Sequence, residues 1–155
     1  MIRTVNPVLF DLYAGTGTIG MVLSRHAKEV FSVEIVPEAS RDNTRNLRNN
    51  DIPNVRVIND PVEKFLAEWK EEKSAPPDVI VVDPPRAGMH PDAPGIIAEF
   101  EPREIIYVSC NPATLVRDLG LLSPTGKYRV TDITPVDMFP HTHHIEVVVR
   151  MERTY

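Results

Sequence analysis

The sequence predicts an α/β fold, a doubly wound and mostly parallel sheet of seven strands within a single domain covering residues 1–155. Three observations predict this fold. Five strand-like apolar runs alternate with helix-like segments, a glycine-rich turn follows the first run, and the last two strand-like segments have no helix between them. The alternation favours parallel strands with crossover helices, and the final pair favours a hairpin-like addition whose last strand is antiparallel.

The first half of the chain supplies three strand–helix units. Strands are predicted at 8–12, 30–34 and 55–58. Helices are predicted at 18–26, 37–49 and 62–70. The first helix follows the glycine turn, and the second opens at Pro37, because the fixed φ of proline suits the first turn of a helix.

The second half supplies two further units and the closing pair of strands. Strands are predicted at 78–83, 104–109, 128–133 and 145–151. Helices are predicted at 96–100 and 112–121. Asn111 is a typical N-cap for the last helix and Pro112 a typical first helical residue, so this helix should begin directly after Cys110.

Composition and charge limit the possible functions. The single cysteine excludes an internal disulfide and a cysteine-based zinc or iron–sulfur site within this chain. No apolar stretch is long enough to span a membrane, and the first residues lack the apolar core of a signal peptide, so we expect a cytoplasmic protein. A net charge of −5 indicates that any nucleic acid would be bound largely by another part of the protein.

The glycine turn indicates a nucleotide-like cofactor. Gly15 and Gly17 belong to a G-x-G-x-x-G pattern between the first strand and the first helix, and Glu34 ends the next strand. This arrangement is typical of dinucleotide sites, in which the acid binds ribose hydroxyls, and a purely structural turn is the alternative.

Acidic residues lie at the ends of four predicted strands and should meet at one edge of the sheet. They are Asp11, Glu34, Asp60 and Asp83. A pyrophosphate would be repelled by this edge, whereas a cofactor with an ammonium group and a sulfonium would be attracted. The acids therefore favour S-adenosylmethionine over a dinucleotide, although each acid alone could be an N-cap or a turn residue.

Cys110 ends the fifth predicted strand and precedes the N-terminus of a helix. Ligands of open α/β sheets bind at this end of the strands, and a helix N-terminus favours the reactive thiolate. The alternative is a small buried hydrophobe, which many free cysteines are.

Four segments together resemble class I methyltransferases of the RNA uracil-5 type, a family with tRNA and ribosomal RNA substrates. The matching segments are 11–18, 83–88, 109–115 and 137–146. They run in the family's order and extend over nearly the whole chain. The resemblance implies a Rossmann-like domain that uses S-adenosylmethionine, with S-adenosylhomocysteine as product, and acts on RNA.

The resemblance also implies roles for single residues. Positions that contact the cofactor in the family are matched by Tyr13, Thr18, Glu34 and Asp83. Asp60 lies where many class I methyltransferases approach the adenine, Cys110 matches the nucleophile, and Glu146 matches the base. Family members usually carry an upstream RNA-binding domain that this chain does not show, so we expect a catalytic domain that needs an additional RNA-binding region. Its oligomeric state is not predicted.

Uracil methylation explains why one thiol and one carboxylate suffice. Addition of a thiolate at C6 makes C5 nucleophilic, and a base must then remove the C5 proton so that the thiolate can leave. Arg86 follows Asp83-Pro84-Pro85, where it could bind an RNA phosphate or form a loop-stabilising salt bridge.

Other interpretations lead to different expectations. The histidines at 141, 143 and 144 near Glu146 suggest a metal, but close neighbours near a strand start point to different faces, so we expect no metal site. An NAD-dependent oxidoreductase and a noncatalytic cofactor- or RNA-binding module remain the alternative functions.

Overall fold

The computed structural model describes residues 2–72, 74–123, 126–138, 140–142 and 144–154. These residues form one seven-stranded sheet with five helices. The strands are β1 Val8–Leu12, β2 Glu29–Val33, β3 Val55–Ile58, β4 Val79–Val82, β5 Glu104–Ser109, β6 Tyr128–Val136 and β7 Glu146–Arg153. The helices are α1 Thr18–Ser24, α2 Pro37–Asn49, α3 Val62–Glu71, α4 Ala93–Glu99 and α5 Pro112–Leu122.

The strand order is β3-β2-β1-β4-β5-β7-β6. The first five strands are parallel, and β7 is antiparallel to both β5 and β6, between which it lies. The predicted mostly parallel sheet with an antiparallel last strand is therefore confirmed. The carboxyl ends of the parallel strands share one edge, and β7 begins at that same edge.

Some boundaries differ from the prediction. Helix α1 ends at Ser24 rather than at residue 26, and α4 begins at Ala93 rather than near residue 96. Strand β6 continues to Val136, through Pro135, which pairs with Val147. A proline is tolerated there because β6 is the outermost strand of the sheet.

Aromatic packing centres on Phe10 of β1, which lies in the middle of the five parallel strands of the sheet. Its ring makes edge-to-face contacts with Phe31, Phe65, Trp69 and Phe100, at centroid distances of 5.7, 5.1, 5.1 and 6.2 Å. This core includes side chains of α3, α4 and α5, whereas a smaller core packs beneath α1. The sheet is thus held from both faces.

A buried ionic cluster lies at the opposite edge of the sheet. Arg150 of β7 is 1% exposed, and its guanidinium donates to Glu104 Oε2 at 2.9 Å and to Asp132 Oδ2 at 2.8 Å. Glu104 also accepts from the backbone N–H groups of Arg3 and Thr4. The cluster joins β5, β6 and β7 to the segment before β1.

None of the helices in the described ranges is both long and apolar enough to cross a membrane.

Candidate active site

The turn between β1 and α1 contains three residues in the left-handed region. Their φ angles are 62° for Tyr13, 55° for Gly15 and 85° for Gly17. Glycine enters this region without steric cost, whereas tyrosine does not. A Cβ on Gly17 would lie 2.0 Å from Asn43 Oδ1, so this position also needs glycine for the close approach of α2. Thr18 then opens α1 as an exposed residue.

Glu34 braces the glycine turn. Its Oε2 accepts a hydrogen bond from the Gly15 N–H at 2.7 Å, and its Oε1 accepts from the Val36 N–H at 2.8 Å. The side chain is buried directly after β2. The acid therefore lies against the turn and fixes its shape, while its contact with a cofactor stays a prediction.

Asp11 lies beneath the turn, out of contact with solvent. Its Oδ2 accepts from the Gly20 N–H at 3.0 Å and from Ser32 Oγ at 3.3 Å, and the residue is 0% exposed. Burial, which outweighs these hydrogen bonds, raises the pKa of Asp11 to about 7. The expectation that its carboxylate faces a cationic cofactor is therefore wrong in this structure, because turn and helix cover it.

Asp60 occupies the end of β3, where it is half-buried. Its Oδ2 accepts from Lys64 Nζ at 2.7 Å, one helical turn further along. The neighbouring Asn59 donates to the carbonyl oxygen of Glu34 at 2.7 Å and so ties this loop to the second strand. The structure thus keeps Asp60 at the predicted edge, but pairs its charge with a lysine.

Asp83 and Glu146 approach each other at the same edge. Asp83 follows β4, and Glu146 is the first residue of β7. Although Asp83 is accessible to solvent, surrounding protein and then the negative charge of Glu146 raise the pKa of Asp83 to about 6. The two carboxyl groups are therefore close enough for the charge of one to affect the pKa of the other.

Cys110 continues β5 toward Glu146. The antiparallel register of β5 and β7 pairs Ser109 with Val147, so Cys110 and Glu146 are the next facing positions. Facing residues of an antiparallel pair have Cα atoms about 5 Å apart. The thiol is free and half-buried. The structure thus brings together the predicted nucleophile, the predicted base and Asp83.

Tyr13 joins this edge to the loop after β4. Its hydroxyl oxygen accepts a hydrogen bond from the His90 N–H at 3.4 Å, and burial raises the pKa of Tyr13 to about 12. The phenol therefore stays neutral at physiological pH and can keep this contact.

Arg86 is exposed on the loop after Asp83. Its Nη2 lies 3.0 Å from His144 Nδ1, and no carboxylate in the described residues forms an ion pair with it. Among the described residues, Arg86 therefore does not form the loop-stabilising salt bridge that was the alternative. The exposed guanidinium is compatible with binding a phosphate.

The histidine segment before β7 shows no metal geometry in the part that is described. His144 contacts Arg86, His141 is exposed, and His143 lies outside the described residues. No group of three or more His, Cys, Asp or Glu side chains is arranged as a metal site among the residues described.

Sequence analysis missed a set of side chains on α5. Asp118 is 0% exposed and binds both the loop after β4 and Tyr107 of β5. A signal was present, because Asp118 lies three residues after Leu115 and four before Leu122, on the buried face of the helix. A charged residue at such a position needs a specific partner.

The chain is similar over nearly its whole length to known proteins. The family model for tRNA (uracil-5-)-methyltransferases matches residues 1–154. An uncharacterized RNA methyltransferase of Bacteroides thetaiotaomicron is 48% identical over 149 residues, which is 96% of this chain and 32% of that protein. A second, from Clostridium acetobutylicum, is 47% identical over 150 residues, 97% of this chain and 32% of that protein.

A solved structure is similar over nearly the whole chain. It is the Pyrococcus abyssi tRNA (uracil-54, C5)-methyltransferase in complex with S-adenosyl-L-homocysteine, with a TM-score of 0.82 and 31% identity. The match covers 97% of this chain and 35% of that one. This chain therefore spans about a third of the length of the relatives it matches.

Proposed function

This chain belongs to the tRNA (uracil-5-)-methyltransferase family, and on that premise we propose that it transfers a methyl group from S-adenosylmethionine to C5 of a uridine in RNA. The observation that carries the proposal is the register of β5 and β7, which ends at the pair Ser109–Val147 and so makes Cys110 and Glu146 the next facing positions, beside Asp83. One nucleophile and one base on facing strands match the two groups that this chemistry needs.

The residues at the sheet edge suit the proposed cofactor. S-adenosylmethionine supplies an electrophilic methyl group on a sulfonium. Glu34 lies against the glycine turn, where it can accept hydrogen bonds from ribose hydroxyls, and Asp83 offers a carboxylate to a cation. Tyr13 and Thr18 flank the same turn. Asp60 lies two residues after the end of β3 and could approach an adenine.

In the proposed reaction, Cys110 and Glu146 act in turn. The Cys110 thiolate forms a bond to C6 of the uracil and moves electron density to C5, which then bonds to the transferred methyl carbon as its bond to sulfur breaks. S-adenosylhomocysteine is released. The Glu146 carboxylate accepts the C5 proton, the C5–C6 double bond re-forms, and the Cys110 sulfur leaves as thiolate.

RNA binding is proposed to extend beyond this chain. Its net charge of −5 supplies little attraction for phosphate, and the chain spans a third of its relatives, so an additional RNA-binding region would provide most of the affinity. Arg86 is proposed to contact a phosphate near the target base. An RNA substrate also favours the cytoplasmic location expected from the sequence.

An RNA containing 5-fluorouridine tests the assigned nucleophile. Fluorine at C5 cannot leave as a proton does, so methyl transfer should trap a protein–RNA adduct that mass spectrometry detects at Cys110. Cys110→Ala should form no adduct while still binding S-adenosylhomocysteine. An adduct on Cys110→Ala would refute the assignment.

Natural uridine RNA tests the assigned base. Glu146→Gln removes the proton acceptor, so it should accumulate the methylated adduct and release product roughly a hundredfold or more slowly. Glu152→Gln, at the other end of β7, is the matched control and should turn over normally. Normal product release by Glu146→Gln would contradict the role.

Calorimetry with S-adenosylhomocysteine and NAD separates the methyltransferase from the oxidoreductase, because only the former should bind S-adenosylhomocysteine.

A further inference from the structure

The loop from Arg86 to Met89 is bound mainly by side chains of α5. Asn111 Nδ2 donates to the Arg86 carbonyl oxygen at 3.0 Å. Thr114 Oγ1 shares its one hydrogen between the same oxygen, at 3.3 Å, and the Asn111 carbonyl oxygen, at 3.1 Å. Arg117 Nη2 donates to the Ala87 carbonyl oxygen at 3.0 Å. The Met89 N–H donates to Asp118 Oδ2 at 2.8 Å. Four side chains of this helix and its N-cap thus bind three of the four loop residues, Arg86, Ala87 and Met89.

Asp118 is the buried centre of this arrangement. Its carboxylate also accepts from the Tyr107 hydroxyl at 2.6 Å and from Arg117 Nε at 2.8 Å. A fully buried carboxylate with three donors has its desolvation cost offset only while all of them remain in place. Asp118 therefore joins the loop, the helix and β5 at one point.

Gly88 allows the loop to approach α5 this closely. Its φ is 82°, and an added Cβ would lie 2.3 Å from Arg117 Nη2 and 2.6 Å from Asp118 Oδ2. Any other residue would be both strained and in collision with the two side chains. The close contact of loop and helix therefore depends on glycine at position 88 of the loop as well as on the side chains of α5.

The two ends of this loop lie next to residues of the candidate active site. Asp83 lies just before it, and the His90 N–H just after it donates to Tyr13 Oη. The helix that binds the loop begins directly after Cys110, and its N-cap Asn111 accepts from the Ala113 N–H at 3.1 Å through Oδ1. Asn111 thus caps the helix with one atom and binds the loop with the other.

We propose that Asn111 and Asp118 are positioning residues, through which α5 sets the place of Asp83 and Arg86 relative to Cys110. This proposal rests on the proposed function, because the spacing matters for catalysis only if these groups act on one substrate. A shift of a fraction of an ångström in such a spacing lowers the rate of the chemical step more than it lowers binding.

Asn111→Ser separates the two roles of Asn111. Serine keeps an uncharged N-cap oxygen but is too short to donate to the Arg86 carbonyl oxygen. In the protein expressed from its complete coding sequence, we expect an unchanged melting temperature. The kcat should fall about threefold to tenfold, as expected for one lost hydrogen bond, with less than a twofold change in the KM for S-adenosylmethionine.

Thr114→Val removes the second donor to the same oxygen at nearly constant volume. We expect a similar fall in kcat, and a non-additive effect when both substitutions are combined, because both act on one carbonyl group. Asn50→Ser at the C-cap of α2 and Thr44→Val within α2 make the same chemical changes away from the loop and are the matched controls. Both controls should keep the wild-type kcat.

Asp118→Asn tests the role of the buried carboxylate while keeping a side chain of nearly the same volume in its place. It keeps one acceptor oxygen for the Met89 N–H but loses the ion pair with Arg117, so kcat should fall and trypsin should cleave after Arg86 faster. Asp118→Ala is expected to weaken folding as a whole. A loss of activity in Asn111→Ser or Asp118→Asn that only parallels a loss of melting temperature would overturn the positioning role.

Cleavage by trypsin after Arg86, quantified by mass spectrometry, reports on the loop without any methyl transfer. Asn111→Ser should be cleaved several times faster than wild type at the same melting temperature, and equal cleavage rates would overturn the proposal. If the wild-type protein transfers no methyl group, the proposed function fails, and the cleavage rates still decide whether α5 holds the loop.

Discussion

At the scale of single residues, the carboxyl groups of the site carry unequal charge at neutral pH. The pKa of Asp83 lies near 6 because surrounding protein removes part of its hydration and Glu146 is nearby, and that of Asp11 lies near 7 because of burial. Asp83 is therefore mostly ionised at pH 7.5, whereas Asp11 is partly protonated. Asp83, at the exposed edge, therefore offers more negative charge to a cation than Asp11, which lies beneath the turn.

Glu146→Gln should lower the pKa of Asp83. Removing the neighbouring negative charge stabilises the ionised form of Asp83, while partial desolvation by surrounding protein keeps its pKa above that of a free aspartate. A carboxyl-carbon NMR titration measures this pKa directly. Glu152→Gln should leave it unchanged, and an unchanged value in Glu146→Gln would show that the two side chains do not interact.

Asp11→Asn should flatten the pH dependence of stability. Between about pH 4 and 7 the folded state keeps a proton on Asp11 that the unfolded state releases, so wild-type stability falls as pH rises and levels off above pH 7. The shift from 3.8 to about 7 corresponds to at most roughly 4 kcal/mol.

Thermal melting between pH 4 and 8 measures this effect. The variant should gain stability relative to wild type toward pH 8, whereas Asp51→Asn, at an exposed site, should follow the wild-type curve. Parallel curves for wild type and Asp11→Asn would contradict the raised pKa.

Local chemistry decides which single residues could be predicted. The cap at Asn111 follows from its own neighbours, so the sequence predicts it correctly. The burial of Asp11 depends on Ser32 and Gly20, which only the folded chain brings to it. The contact of Asp118 with Met89 likewise joins distant segments, so its helical position shows that it needs a partner but does not identify the partner.

At the scale of elements, the β1–α1 turn depends on two glycines for different reasons. Gly15 needs only a positive φ, and no atom lies within 4 Å of a Cβ added there, whereas at Gly17 such an atom would collide with Asn43. The turn therefore contains one conformational and one steric requirement.

Gly17→Ala should destabilise the protein more than Gly15→Ala. Both substitutions incur roughly 1 kcal/mol of left-handed strain, and Gly17→Ala adds the displacement of the buried Asn43, for a total of about 3 kcal/mol. Urea unfolding compares the two variants. Equal losses would show that Asn43 moves aside without cost.

The types of the elements were predictable because apolar runs and caps are local signals. The residues at which the elements end were less predictable. Strand β6 extends past the predicted residue 133 because pairing with β7, and not intrinsic preference, determines its length. Helix α1 stops at Ser24, whose hydroxyl bonds back to the Met21 carbonyl oxygen at 2.7 Å. Such competing contacts are not visible in the hydrophobic pattern.

At the scale of the whole molecule, the buried cluster around Arg150 stabilises the antiparallel side of the sheet. Burial opposes ionisation of Glu104, yet hydrogen bonds from Thr4 and Arg150 lower its pKa. The cluster thus joins the chain segment before β1 to the last three strands, far from Cys110.

Arg150→Met should lower the melting temperature by about 10 °C. It leaves buried Glu104 without its guanidinium, a loss of roughly 3–5 kcal/mol, and each kcal/mol shifts the midpoint by about 2–4 °C in a domain of this size. Arg129→Met removes an exposed ion pair to Glu152 and should shift it by less than about 3 °C. Calorimetry of both variants checks the difference, and equal shifts would contradict it.

The sheet's overall plan was predictable from the alternation of strands and helices, including the antiparallel last strand. The place of β7 was not, because a hairpin of β6 and β7 could join β5 through either strand. The buried Arg150, reaching Glu104 on one side and Asp132 on the other, is satisfied only when β7 lies between them.

The position of β7 has a consequence for how the protein is made. The ribosome releases β5 and Cys110 first and β7 later, although β7 must lie beside β5 in the finished sheet. Until then the backbone of β5 exposes an unpaired edge, which other nascent chains could join. The thiol also has no facing carboxylate during that interval, so synthesis itself delays the assembly of the site until β7 has been made.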